Sequence, residues 1–225
     1  MNGAMIQVRD ITKFYGPARA IEQVSFSVNE GETVGLLGTN GSGKTTTIRI
    51  LTGFIPPTRG EVHIQGYNTL TQSLQARRLI GYLPESAPFY GELSVIGSLR
   101  FFAQMHDLRG KRLAQRVDDV INAFGLDAYA EVIVGKLSKG YRQRLGIAQA
   151  VIHEPEVLVL DEPTVGIDPV QIQETRHLIQ QLSKRHTILL STHQLGEATQ
   201  LCNRVLILDK GRLVADGDPG NLIAS

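Results

Sequence analysis

Eight consecutive residues, Gly38-Thr39-Asn40-Gly41-Ser42-Gly43-Lys44-Thr45, constrain this 225-residue chain more than any other stretch. Their glycines let the backbone wrap around an anion, with N–H groups turned inward and no Cβ in the way. The preceding run, Thr33–Leu37, is short, apolar and bounded by glycines, as a strand buried on both faces would be. The following run, Thr45–Leu51, has helical spacing. A strand, a loop of the form G-x-x-x-x-G-K-[ST] and a helix together make a nucleotide phosphate site, to which the helix N-terminus adds partial positive charge. The binding stretch runs from Gly38 to Thr46, with Lys44 reaching the β- and γ-phosphates and the Thr45 hydroxyl ligating Mg²⁺.

The rest of the chain arranges itself around that unit. Met5–Val8 and Ile21–Val28 alternate apolar and polar residues, which suits half-buried antiparallel strands. Glu61–Ile64 and Leu79–Leu83 are further short strands, the second stopped by Pro84. From Ser86 to Ile152 the period changes. Leu93–Met105, Arg112–Phe124 and Tyr141–Ile152 carry apolar residues at three- and four-residue intervals, predicting a helical insertion. Gly97 is odd there, since glycine costs a helix about 1 kcal/mol relative to alanine. After Pro155, strands at Val157–Leu160, Thr187–Leu190 and Arg204–Leu208 alternate with helices at Val170–Leu182 and Gln194–Cys202, and a short helix from about Asp218 follows. That alternation predicts a parallel sheet with covered faces.

Composition removes several classes. Hydrophobic residues at 42% and charged residues at 20% exclude wholesale disorder. Lysine and arginine (23) nearly balance aspartate and glutamate (22), so no basic excess points to nucleic acid. The single cysteine, Cys202, excludes an intrachain disulfide and reads as plain core. The amino terminus lacks the apolar core of a signal peptide, and no apolar run approaches the roughly 18 residues that cross a bilayer. A soluble intracellular protein is expected.

A second element supports the phosphate loop. Val157-Leu158-Val159-Leu160-Asp161-Glu162 places two acids at the carboxyl end of a buried strand, the edge where α/β sheets bind ligands. Asp161 is suited to the Mg²⁺ shell, and Glu162 to orienting and deprotonating an attacking water. None of the six histidines has metal-site spacing.

A third element is Leu137-Ser138-Lys139-Gly140-Tyr141-Arg142-Gln143-Arg144. Ser138 followed by Gly140 at a helix start makes a second anion-binding helix terminus. One ATP has only one triphosphate tail. This octapeptide resembles the signature motif of ATP-binding cassette (ABC) ATPases, usually LSGGQ, with departures at Lys139, Tyr141 and Arg142. The resemblance implies that Ser138 and Gly140 serve an ATP held by another subunit, in a head-to-tail dimer with two sandwiched nucleotides. Further stretches match in register across roughly residues 5–220. Lys13-Phe14-Tyr15-Gly16 resembles the aromatic loop, which implies that Tyr15 stacks on adenine. Pro163–Asp168 resembles the D-loop that crosses the dimer interface, with Asp168 the residue to watch. Ser191-Thr192-His193 resembles the switch whose histidine, here His193, contacts the γ-phosphate. After Ile80–Pro84 the family usually has the glutamine of the Q-loop, and here the residue is Glu85. A carboxylate can ligate Mg²⁺, but it cannot donate an amide hydrogen bond and it adds negative charge beside phosphates.

Motifs and resemblance together imply an α/β fold: a P-loop NTPase core with a mostly parallel sheet, an N-terminal antiparallel β subdomain and an inserted α-helical subdomain. The resemblance implies that residues 1–225 form one ABC ATPase domain, with a core lobe at about 1–85 and 153–225 and the insertion at about 86–152. The implied function is ATP hydrolysis that energises a membrane exporter through nucleotide-driven dimer closure. The pairing of Leu83-Pro84-Glu85 with the signature stretch resembles bacterial exporter ATPases of the gliding-motility, multidrug and copper-maturation types. The partners implied are a second copy and separate transmembrane permease subunits, through which this chain would sit peripherally on the cytoplasmic side of the cell membrane. The permease would dock beside Pro88-Phe89-Tyr90 and Leu93–Phe102, with ATP and Mg²⁺ as cofactors and no nucleic acid. The alternative is a non-transport cassette tied to translation or DNA repair. A compact insertion without sustained heptads and a near-neutral charge speak against it. A phosphate-loop kinase would have no use for the signature stretch or His193.

Overall fold

A computed structural model describes residues 4–223. The alternating segments pair as expected, over longer spans. Strand β1 (Ala4–Tyr15) runs antiparallel to β2 (Ala18–Asn29), with Ile6 opposite Val28 and Val8 opposite Phe26. After β3 (Thr33–Leu37) and α1 (Lys44–Leu51), β4 (Arg59–Ile64) joins the other edge of β1 and β5 (Tyr67–Asn68) pairs with β4. Neither β5 nor the next helix, α2 (Ser73–Arg78), is expected from periodicity. Two residues and one and a half turns are too short to show a period, and Ala76 is the only buried residue of α2.

Strand β6 (Ile80–Leu83) leads into the helical stretch: α3 (Val95–Met105), α4 (Gly110–Ala123), two 3₁₀ turns, and α5 (Lys139–Val151). Gly97 now has a reason. Ser94 caps α3 by accepting the Gly97 N–H at 3.2 Å, and a Cβ at 97 would stand 3.1 Å from that hydroxyl oxygen. The glycine leaves the cap room.

The chain then alternates through β7 (Val157–Asp161), α6 (Pro169–Leu182), β8 (Thr187–Thr192), α7 (Leu195–Leu201), β9 (Arg204–Asp209), β10 (Arg212–Gly217) and α8 (Pro219–Ile223). The six-stranded sheet has the order β10-β9-β3-β8-β7-β6, parallel except for β10. Every residue of β3, β7 and β8 is buried, which is why these strands carry apolar runs instead of alternation. One face of the sheet packs on α3, α4 and α5 through Leu83, Leu158 and Leu160. The other packs on the antiparallel sheet through Val34, Leu36 and Val159. Leu37 aligns with Thr192, Asp161 with Ser191, and Leu83 with Leu160. The exits of β3, β6, β7 and β8 therefore share one edge, where α/β sheets bind ligands.

At the seam between helices and sheet, His106 stacks on His153, with ring centroids 3.6 Å apart and planes 8° from parallel. Nε2 of His153 faces the Ile80 carbonyl at 3.2 Å, and its Nδ1 is buried without a partner. Burial, and then the neighbouring His106, push His153 down to about 3. Burial also lowers His106 and His186. Below about pH 6.5 the unfolded chain takes up a proton on His153 and the folded chain does not until near pH 3. Stability therefore falls as pH falls, by up to about 1.4 kcal/mol per unit from His153, and the lowered His106 and His186 act in the same direction. Urea titrations should give a lower midpoint at pH 5 than at pH 7.5, with a smaller difference in His153→Gln. Equal midpoints for the native chain would contradict this.

Candidate active site

The phosphate loop leaves β3 at Gly38 and enters α1 at Lys44. Gly41 and Gly43 adopt φ of 81° and 108°, the left-handed region that favours glycine. Packing demands glycine as well: a Cβ at Gly43 would lie 2.5 Å from Cγ2 of Ile21, and one at Gly38 would run into the Ser42 hydroxyl. The β9–β10 hairpin braces the loop from behind, with the Gly211 N–H donating to the Ser42 carbonyl at 2.9 Å. Lys44 is only 6% exposed. Its Nζ donates to the Gly38 carbonyl at 2.7 Å and lies 3.3 Å from Oε1 of Glu162. The Ser42 hydroxyl oxygen is buried without a partner.

Asp161 ends β7 in full burial. Its Oδ1 accepts from the Ser191 hydroxyl at 2.5 Å, while its Oδ2 is buried without a partner. Burial pushes its pKa up and the charge of Glu85 pushes the same way, against the hydroxyls of Ser191 and Thr45. An unpartnered carboxylate oxygen beside another carboxylate and a threonine hydroxyl has the chemistry of a hard-cation site, so Thr45, Asp161 and Glu85 fit a divalent ion. Among the described residues no group of three or more His, Cys, Asp or Glu side chains forms a metal cluster by itself. That suits Mg²⁺, which takes one or two carboxylates and completes its shell with water and substrate phosphates.

Glu162 follows with φ of 51°, a strained conformation for a non-glycine residue. Its N–H donates to the Ser191 hydroxyl at 2.9 Å. Oε1 faces Lys44, and Oε2 lies 2.9 Å from Nδ1 of His193. The two acids and the histidine are thus held by adjacent strands through one serine. A cavity of about 380 Å³ opens over the loop, lined by Thr39, Asn40, Gly41, Gly43, Lys44, Thr45, Thr46, Glu85, Glu162 and His193 among others. A second cavity, of about 550 Å³, shares Thr45 and Glu85 with it and also touches Asp161 and Pro88.

Among the expected residues outside the phosphate loop, Tyr15, Ser138, Gly140 and Asp168 line neither cavity. Tyr15, 48% exposed at the end of β1, has Nζ of Lys13 5.4 Å from its ring centroid, and that ammonium is anchored on the Pro56 carbonyl. Ser138 caps α5, accepting from the Tyr141 N–H at 3.3 Å. Gly140 makes room for the Gln171 side chain. Asp168 caps α6, accepting from the Val170 and Gln171 N–H groups at 3.1 Å each. Sequence reasoning assigned no part to Ser191, to Gln143, which donates to the Pro163 carbonyl at 2.7 Å, or to Glu197, which ties Thr164 to Thr192. Ser191 sits inside a recognised motif and was findable. Glu197 has no local signal.

A family described as "ABC transporter" matches residues 21–165. The probable multidrug ABC transporter ATP-binding protein YbhF of Escherichia coli (strain K12) is 37% identical over 221 residues, covering 98% of this chain and 38% of that protein. The bacitracin transport ATP-binding protein BcrA of Bacillus licheniformis is 40% identical over 214 residues, covering 94% of this chain and 69% of that one. A solved structure described as an ATP binding subunit of an ABC transporter superposes with a TM-score of 0.88 at 32% identity, covering 98% of this chain and 92% of its own. Another, described as the dimeric structure of a bacterial ABC transporter cassette, superposes at 0.87 with 25% identity, covering 96% and 99%. The chain belongs to the ABC transporter family, of which it carries the ATP-binding domain. It spans well under half the length of YbhF.

Proposed function

We propose that this chain binds ATP with Mg²⁺ in the cavity over the phosphate loop, hydrolyses it, and energises a membrane exporter through nucleotide-driven closure of two cassettes. The observation that carries this reading is Glu162, held between Lys44 and His193 at the mouth of the loop. Loop amides and Lys44 receive the β- and γ-phosphates, and Tyr15 stacks on the adenine. Glu162 accepts the proton of the attacking water, and His193, on Oε2 of that carboxylate, contacts the γ-phosphate. Mg²⁺, held by Thr45 and Asp161 with Glu85 beside them, supplies charge neutralisation on the phosphate oxygens. Ser138 and Gly140 at the start of α5, with Asp168 across from them, meet the nucleotide of the second copy. Their place outside this chain's own cavity supports that arrangement.

Glu85 borders both cavities, which supports a link from the nucleotide to a permease docked in the larger one. Pro88 and Phe102 line that cavity; Tyr90, two residues after Pro88, is exposed and packs edge-on against Phe101, with centroids 5.1 Å apart. The reading seats the chain peripherally on the cytoplasmic face, through the permease; no helix among the described residues is long and apolar enough to cross a membrane. The family match and the transport proteins among the relatives support export over translation or repair. The chain should release phosphate from ATP without any phosphoryl acceptor, and an integral membrane protein should accompany it from detergent extracts of its native host. ADP formation only when a phosphoryl acceptor is supplied, with no free phosphate, would replace the reading with a kinase. Salt-sensitive association with RNA or DNA, and no membrane protein, would replace it with a non-transport cassette.

A further inference from the structure

We propose that Glu197 is a positioning residue that clamps the exits of β7 and β8 together, so that Glu162 and His193 stay in register. This rests on the ATPase reading. Glu197 lies in the first turn of α7, is only 1% exposed, and forms no ion pair among the described residues. Its two oxygens are instead occupied by two hydroxyls. Oε1 accepts from Thr164 at 2.6 Å and Oε2 from Thr192 at 2.6 Å. Thr164 stands two residues beyond Glu162, and Thr192 immediately precedes His193. One buried carboxylate therefore holds both flanks of the Glu162–His193 pair.

The chemistry requires a carboxylate. Hydroxyl-to-carboxylate bonds of this length are the strong, charge-assisted kind, and a carboxylate offers an acceptor oxygen to each hydroxyl at once. The Thr192 hydroxyl already accepts from the Gln194 N–H at 3.0 Å, so its own proton is free for Glu197. A glutamine at 197 has one acceptor oxygen and can keep one of the two bonds in the same geometry. The clamp also has something to restrain, since the φ of 51° at Glu162 persists only where its surroundings over-determine it. Ser191 ties the strands on the side of Asp161, and Glu197 ties them on the far side of Glu162. The pair that carries the chemistry is bracketed.

The test uses the full chain with Glu197→Gln, Glu197→Ala, Thr164→Val, Thr192→Val and the hydroxyl-preserving Thr192→Ser. Misplacing a reacting group by about an ångström can cost about a hundredfold in rate, so Glu197→Gln should lower kcat for ATP about tenfold or more, with KM changed by less than about threefold. The two valine variants should do the same, and Thr192→Ser should stay near the native kcat. Amide hydrogen exchange without nucleotide should rise about tenfold over residues 162–166 in these variants, leaving α3 to α5 unchanged. Native kcat and native exchange in both Glu197→Gln and Thr192→Val would overturn the proposal. So would a uniform rise in exchange across the chain, which marks an ordinary structural residue. If the native chain hydrolyses no ATP, the ATPase reading fails by itself, and the local exchange still decides whether the clamp exists.

Discussion

Glu162→Gln should bind ATP at least as tightly as the native chain while turning it over about a thousandfold more slowly. The substitution keeps the shape of the side chain and leaves the Glu162 backbone with its bond to Ser191. It removes a proton acceptor, and positioned general bases contribute about 10² to 10⁴ in rate. It also removes a negative charge from the mouth of a site that must take in a polyanion, and it frees Lys44 from a carboxylate 3.3 Å away. Affinity should therefore hold or improve as catalysis collapses. Single-turnover phosphate release and equilibrium ATP binding, measured on the same preparation, separate the two effects. Near-native turnover would remove Glu162 from the chemistry.

Lys44→Ala should fail at the earlier step. Its ammonium lies inside the loop with the Gly38 carbonyl on one side and Glu162 on the other. Without it the phosphates lose their charged donor, and Glu162 is left beside them with no cation to offset it. Hydrogen bonds to charged groups are worth about 1.5 to 3 kcal/mol, so ATP affinity should fall by about ten- to a hundredfold. Turnover at saturating ATP should fall as well. Equilibrium binding is the check, and an unchanged Kd would mean that the loop holds phosphate through its amides alone. The two variants divide the site, with Lys44 acting on binding and Glu162 on the step that follows.

What could be read from the chain follows from how local each feature is. The phosphate loop is legible because glycine spacing, a buried strand and a helix start all lie within a few consecutive residues. The strand bearing Asp161 and Glu162 is legible because burial on both faces forces an unbroken apolar run. Tyr15, Ser138, Gly140 and Asp168 are assigned only by their register in a resemblance, and within one chain they cap helices, give packing room or face solvent. Glu197 and the His106–His153 stack were illegible. Each depends on partners from distant elements, and a lone acid or histidine in a helical pattern carries no sign of them. Helix α2 is too short to display a period, and Gly97 makes sense only once Ser94 is seen beneath it.

The central claim is that ATP joins two copies of this chain and that hydrolysis at Glu162 parts them. Sedimentation velocity of Glu162→Gln tests it directly. The account predicts one chain per particle without nucleotide and two when Mg²⁺ and ATP are added. Two chains after all nucleotide is removed, or one chain at saturating ATP, would contradict it.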